Sequence, residues 1–284
     1  MAEGSQRVAF VGVGAIGLPM AVRIAEAGHA VTTVDPSEER RALAREAGLT
    51  SGADASGAEV AVVMVATPAQ LEAAMGATLP HLAEGAVCVV MSTVGPRAVE
   101  AAARAAAEHG VGVVDVPVTG GVAGARIGTL TLFASGDPAL LERLRPVLDA
   151  MGRVRVCGPE VGQGQRMKVV NQLLASVHLV AAAEALAFAK RAGLDQRQVL
   201  EYLGGGAAGS WMLGDRGPRM LEGTDVEVTS AVDVFVKDSG LVAEALEEVG
   251  LDGPLLRAAN AAFREASRRG LGARDDSRVI ETYD

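Results

Sequence analysis

Residues Val8 to Gly17 read V-A-F-V-G-V-G-A-I-G: a short apolar run that breaks into three glycines, Gly12, Gly14 and Gly17, and then opens onto helix-forming residues. An apolar run of that length bounded by glycine is a buried strand, and strand, glycine turn and helix in that order begin a dinucleotide-binding βαβ unit. The first glycine permits the tight turn, the second lets the backbone approach a pyrophosphate, and the third lets the helix pack closely on the strand. Ala15 and Ile16 lie within the turn, where free amides at the helix N-terminus face the phosphates. The chain holds 35 glycines, so the spacing alone decides little, and its neighbours carry the reading. A second strand, A-V-T-T-V, ends at Asp35, 18 positions after Gly17. A carboxylate there accepts from both ribose hydroxyls of an adenosine and repels a 2′-phosphate, which favours NAD over NADP. Arg40 and Arg41 stand close enough to temper that preference.

Working outward, apolar strands recur at Val60 to Val65, Val87 to Met91, Val111 to Val114 and Leu130 to Ala134, with helical stretches between them. This alternation predicts an α/β fold, a Rossmann-type doubly wound parallel sheet covered on both faces, in which the last strand can pair antiparallel. Ala66, just past the Val60 strand, joins the cofactor-binding set. Beyond about residue 160 the strand signals stop. Gln165 to Ala192 reads as one helix of about 42 Å at 1.5 Å per residue, closed by Gly193. Further helices are expected near Asp195 to Leu203, Ala231 to Val249 and Gly253 to Arg269. The division expected is a NAD-binding domain over 1–163 and an all-α C-terminal domain over 164–284, linked by the long helix and serving substrate closure and dimerisation. The stretch A-A-A-E-A-L-A-F-A on that helix lets a second helix approach closely, so a homodimer or homotetramer is expected.

Composition narrows the function. The 284 residues carry a formal net charge of -9 with the positive residues spread along the chain, which gives no footprint for nucleic acid. Half the chain is hydrophobic but only 3% is aromatic, so Ala, Val, Leu and Gly supply most of the packing. Cys88 and Cys157 read as buried small hydrophobes, and no metal-ligand spacing is visible. The first residues lead into a strand rather than a signal-peptide core, and no long uninterrupted apolar stretch appears. A cytoplasmic protein without a membrane partner is the expectation.

Two segments carry chemistry. Gly162 to Gln172, G-Q-G-Q-R-M-K-V-V-N-Q, sets Lys168 three residues before Asn171 on an otherwise apolar helix, so both lie on one face. Asp115 to Leu130, D-V-P-V-T-G-G-V-A-G-A-R-I-G-T-L, places the hydroxyl of Thr119 beside Gly120 and Gly121, whose amides can receive a carboxylate. Alone, this second segment reads equally well as a structural turn. Moving a hydride from an alcohol carbon to a nicotinamide requires the hydroxyl proton to leave. His29, His81, His109 and His178 show no ligand spacing. A lysine whose pKa is lowered from about 10.4 by burial and a nearby positive ring can take that proton, which makes Lys168 the catalytic candidate.

Together with M-S-T-V-G-P around Thr93 and F-V-K-D around Lys237, these motifs resemble the β-hydroxyacid dehydrogenase family, whose members act on 3-hydroxyisobutyrate, tartronate semialdehyde and L-threonate. The resemblance runs over nearly the whole chain. It implies that Lys168 is the catalytic lysine, that Asn171 orients it or the substrate, and that Thr119, Gly120 and Gly121 form the substrate-binding turn. It further implies that Thr93 lies beside the nicotinamide ribose and that Lys237 closes over the cofactor. Family members often have serine at the position of Thr119, and an acidic residue where this chain has Val90. Within the family, A-A-G-S-W-M-L, containing Ser210 and Trp211, is most similar to the members that oxidise L-threonate. That substrate is therefore expected, with 3-hydroxyisobutyrate and tartronate semialdehyde as alternatives. A nicotinamide-binding scaffold protein is the non-enzymatic alternative, and imine reductases, which usually carry Asp or Tyr in place of the lysine, are disfavoured by Lys168.

Overall fold

The computed structural model describes residues 5–223 and 225–284. The chain divides into two compact units, Met1–Lys168 and Val169–Asp284.

The first unit runs β1 (Arg7–Val11), α1 (Gly17–Glu26), β2 (Ala30–Val34), α2 (Glu38–Glu46), β3 (Thr50–Ser51), β4 (Val60–Val63), α3 (Pro68–Thr78), β5 (Val87–Val90), α4 (Pro96–Glu108), β6 (Gly112–Asp115), β7 (Val118–Thr119), α5 (Gly121–Ile127), β8 (Leu130–Ser135), α6 (Pro138–Asp149) and β9 (Gly152–Gly158). The strands form one sheet in the order β3-β2-β1-β4-β5-β6-β8-β7, with β9 on the other edge of β8. Strands β1 to β6 pair parallel. The strand order reverses between β1 and β4, which in open α/β sheets is where a crevice opens beyond the strands' carboxyl ends. As expected, β8 turns antiparallel against β6, through Asp115 and Ser135, and against β7.

The central strands are valine-rich because both faces are covered, and their period of two sorts side chains between two cores. Val8, Phe10, Val60, Val62, Val87 and Val89 pack with Met20, Ile24, Leu144 and Leu148. Their neighbours Ala61, Val63, Cys88 and Val90 pack on the opposite face with Leu71, Met75, Val99 and Ala102. Cys88 is thus a buried small hydrophobe, but Cys157, expected to be one too, is only half-buried. It lies on β9, an edge strand where R-V-R-V-C alternates and one side of the strand lacks a cover.

Helix α7 (Gln163–Arg191) begins in the first unit and continues into the second, two residues longer at its start than the sequence pattern indicates. The second unit adds α8 (Gln196–Gly204), α9 (Trp211–Met220), α10 (Val232–Glu248), α11 (Pro254–Ala266) and a closing 3-10 segment, Asp276–Tyr283. By length and composition α7 could cross a membrane, but its Leu179, Ala183 and Leu186 are buried against Met212, Leu213, Phe235 and Phe263 in a compact helical core. The closing segment is held by a buried ion pair, Arg216 Nε to Asp276 Oδ1 at 2.7 Å.

Candidate active site

At the glycine turn, each glycine has a separate physical reason. A Cβ on Gly12, whose φ is +92°, would lie 2.3 Å from the Met64 carbonyl oxygen, so glycine is required where β1 passes β4. A Cβ on Gly17 would lie 2.2 Å from the Gly12 carbonyl oxygen, so the start of α1 sits directly on the turn. A Cβ on Gly14 would meet nothing within 4 Å. The middle glycine therefore leaves backbone bare toward open space, as close approach of a phosphate requires, and no side chain caps α1 there. Asp35 closes the other side: its Oδ2 accepts from Val13 N at 3.0 Å and its Oδ1 from Ser37 N at 2.9 Å. Each carboxylate oxygen keeps lone-pair capacity for a ribose hydroxyl. Arg41 is engaged elsewhere, donating to the Asp35 carbonyl and to Glu38. These residues fit a dinucleotide. Ala66, exposed beyond β4, already gives its amide to Gln70 Oε1.

A second set gathers at the carboxyl ends of β5, β6 and β8. Thr93 lies in the turn between β5 and α4, and the adjoining amides of Val94 and Gly95 both donate to Gln165 Oε1 at 3.0 Å. The Gln165 Nε2 donates to the carbonyl of Ser92 at 2.9 Å and to Asp115 Oδ1 at 2.8 Å. Gln165 is the third residue of α7, and Lys168 follows three residues later, just under one turn, with only 6% of its surface exposed. Asp115 has no exposed surface, and burial pushes its carboxyl up to about 6, partly offset by the hydrogen bonds from Gln165. Thr119 forms the end of β7, paired with Thr131, and Gly120 and Gly121 follow with φ of +128° and +64°. Both values favour glycine and turn the chain sharply into α5.

In the second unit, Asn171 Nδ2 donates to Gln172 Oε1 at 2.8 Å, and Gln172 Nε2 donates to Asp238 Oδ2 at 2.5 Å. Lys237 Nζ lies 2.7 Å from the other oxygen of Asp238. One polar chain thus joins two residues that the sequence singled out, Asn171 on α7 and Lys237 on α10. Ser210 caps α9, accepting from Leu213 N at 3.0 Å, and Trp211 is 58% exposed with the Arg216 guanidinium 5.5 Å from its ring centre. Sequence reasoning missed Gln165, Gln172, Asp238 and the role of Asp115. The one available signal was polar residues inside the quoted motifs. Among the described residues no cluster of metal-ligating side chains occurs.

A glycine turn open to a phosphate and an acidic residue at the end of the second strand suit a nicotinamide-dependent dehydrogenase. Two family models cover the chain. The NAD binding domain of 6-phosphogluconate dehydrogenase matches residues 7–162, and the NAD-binding domain of NADP-dependent 3-hydroxyisobutyrate dehydrogenase matches residues 162–283. The L-threonate dehydrogenase of Escherichia coli K12 is 36% identical over 100% of this chain and 97% of its own length. The 2-hydroxy-3-oxopropionate reductase of the same strain is 31% identical over 98% of this chain and 97% of its own length. A crystal structure of 3-hydroxyisobutyrate dehydrogenase from Salmonella typhimurium superposes with a TM-score of 0.91 at 33% identity, covering 98% of this chain and 100% of that one. The chain belongs to the 3-hydroxyisobutyrate dehydrogenase family of NAD(P)-dependent β-hydroxyacid dehydrogenases. It is an oxidoreductase rather than a nicotinamide-binding scaffold.

Proposed function

We propose that the protein oxidises a small polyhydroxy acid, L-threonate foremost, using NAD, with Lys168 as the group that takes the hydroxyl proton. The observation that carries this reading is the buried Lys168 on the first turns of α7, mounted on the same strand ends that bear Thr93 and Asp115. Full-length similarity to L-threonate dehydrogenases supports the substrate class.

NAD, when bound at the glycine turn, supplies the ring that accepts the hydride from the carbinol carbon. The residues of the chain do the rest. The Gly14 backbone and the start of α1 receive the phosphates, and Asp35 receives the ribose hydroxyls. The Gly120 and Gly121 amides and the Thr119 hydroxyl hold the substrate carboxylate. Neutral Lys168 takes the proton from the substrate hydroxyl as the carbon–oxygen bond becomes a carbonyl, and its ammonium form returns it in reduction. Asn171 orients the lysine or the substrate, and Lys237 closes over the cofactor, with Ser210 and Trp211 lining the substrate side. Asp35 favours NAD over NADP, because a 2′-phosphate meets a carboxylate, and the Arg41 guanidinium beside it is already tied to Glu38 and to the Asp35 carbonyl. Met167, Val170, Leu174 and Phe188 form an exposed apolar stripe along α7, which supports a homodimer, and the cytoplasm is proposed as its location. Light scattering that gives a particle of 28.9 kDa would contradict the dimer, and recovery in a membrane or secreted fraction would contradict the location.

A second reading, NADP-dependent oxidation of 3-hydroxyisobutyrate, draws on the second family model and on the Salmonella relative. One assay separates the two: a panel of C3 to C5 hydroxyacids with each cofactor, followed by absorbance of the reduced nicotinamide. L-threonate with NAD is expected to give the highest kcat/KM. A site built to bond extra hydroxyls rejects an analogue lacking them by factors up to about 10⁴, so preference for 3-hydroxyisobutyrate or D-glycerate would overturn the substrate assignment.

A further inference from the structure

We propose that Gln165 and Asp115 are positioning residues that set Lys168 against the Thr93 turn, so that the groups flanking the reacting atoms are held by one buried clasp. The inference rests on the reading of Lys168 as the proton acceptor. It concerns two side chains that have no place in that chemistry themselves.

The Gln165 amide uses its whole hydrogen-bonding capacity. Oε1 takes the protons of Val94 N and Gly95 N, and the two protons of Nε2 go to the carbonyl of Ser92 and to Asp115 Oδ1. A side chain committed at four points has a single orientation. The turn from Ser92 to Gly95 is therefore registered to one residue of α7, and Thr93 sits inside that turn.

Asp115 fixes the other half of the clasp. Its Oδ2 accepts from the backbone amide of Gln165 at 2.8 Å and from Ser135 Oγ at 3.3 Å, while Ser135 Oγ accepts from Gly164 N at 2.8 Å. Two first-turn amides of α7, which the helix itself leaves unpaired, are thus capped by side chains at the ends of β6 and β8. A carboxylate at that position also complements the positive end of the helix. Ser92 extends the connection, since its Oγ accepts from Val65 N at 2.7 Å and so ties the end of β5 to the end of β4. The rotation and axial position of α7 at Lys168 are consequently set by four strand ends rather than by apolar packing, which tolerates sliding. Burying the Asp115 charge is unfavourable, as its raised pKa shows, and the gain is a fully satisfied polar network with one geometry.

The test compares Asp115→Asn, Gln165→Met, Gln165→Glu, the double variant Asp115→Asn/Gln165→Glu and Lys168→Ala. The assay uses L-threonate and NAD, or 3-hydroxyisobutyrate if L-threonate is not turned over. Asp115→Asn keeps the shape but turns one acceptor into a donor facing donors. Gln165→Glu sets two carboxyl groups against each other, and the double variant restores opposite polarity at that pair while leaving a carboxylate oxygen against the Ser92 carbonyl, so recovery is partial. Displacing catalytic groups by about 1 Å costs on the order of 10²-fold in rate, so kcat is expected to fall by about that factor in the three single variants at the clasp. NAD affinity should fall much less than kcat, by no more than about tenfold, because the glycine turn is untouched and only the Thr93 contact shifts. The isotope effect on kcat with substrate deuterated at the carbinol carbon should rise, since hydride transfer becomes the slow step. The double variant should recover at least about tenfold over Gln165→Glu.

Wild-type kcat in Asp115→Asn and Gln165→Met, with Lys168→Ala inactive, would overturn the clasp and leave the lysine reading standing. Losses that follow lowered melting temperature, with an unchanged isotope effect and no recovery in the double variant, would likewise overturn it by reducing the pair to holding the fold together. An active Lys168→Ala would instead remove the reading on which the clasp rests.

Discussion

Two glycine-bearing helix starts serve this enzyme in opposite ways. At α1, the space beside Gly14 is open. At α7, the space beside Gly164 is taken up by the protein itself, since a Cβ there would lie 2.3 Å from the Phe133 carbonyl oxygen and 2.9 Å from Asp115 Oδ2. Gly162, with a φ of +99°, is similarly crowded, by the Glu100 carboxylate at 2.7 Å. The first start leaves amides and space open, which suits the receptor proposed for the cofactor. The second is a mount, which presses the helix bearing Lys168 onto the sheet. Glycine thus has two meanings that a motif alone does not separate, and the environment of the missing Cβ tells them apart.

Substituting each glycine separates the two starts by the largest effect. Gly164→Ala meets backbone that cannot swing aside, so α7 must shift at its start. Turnover is expected to fall by about 10²-fold or more, with a melting temperature lowered by several degrees. Gly14→Ala meets nothing in the folded chain, so the melting temperature without cofactor should be unchanged, while the methyl group obstructs the phosphates and weakens NAD binding by about tenfold. Calorimetric melting with and without NAD distinguishes the two. Equal destabilisation of both variants in the absence of NAD would show that the two starts do not differ in the way described.

A smaller effect at the α7 start depends on pH. In the folded chain the Asp115 carboxyl is pushed up to about 6 from an ordinary value of 3.8. The folded state therefore binds the proton more tightly than the unfolded state does. The stability this contributes is fully present below about pH 4 and is lost as pH rises through about 6. Asn at this position does not titrate, so the deficit of Asp115→Asn relative to wild type should narrow over that interval, by at most about 1.4 kcal/mol per pH unit. Urea unfolding at pH 4.5 and pH 7 measures it, and a deficit independent of pH would mean that Asp115 is not strained by burial.

The strand, glycine turn and helix at α1 were legible in the sequence because their signals are local. V-A-F-V before the glycines and A-V-T-T-V-D after them state strand, turn and strand end within 29 residues, Gln6 excluded, from Arg7 to Asp35. Valine runs likewise disclosed β4, β5 and β6, since strands covered on both faces have no need of polar residues. The mount was legible only in part. Lys168 stood out on an apolar helix, but the partners that place it, Asp115 and Ser92, lie 50 and 73 residues from Gln165 and share no period with it. A glutamine with every hydrogen bond buried looks, in sequence, like one on the surface. Strand β9 was missed because R-V-R-V-C lacks the apolar continuity of the inner strands, and α9 because Gly214, Gly217 and Pro218 disguise a helix that its Ser210 cap and buried Met212, Leu213 and Met220 hold in place.

In the proposed reaction Lys168 itself takes the proton from the substrate oxygen, and Lys168→Ala, with turnover and NAD affinity measured on the same preparation, checks this most directly. kcat is expected to fall by at least about 10³-fold while the Kd for NAD changes by no more than about twofold, because the lysine acts on the substrate and not on the phosphates. A variant that keeps more than about a tenth of the wild-type turnover would contradict it.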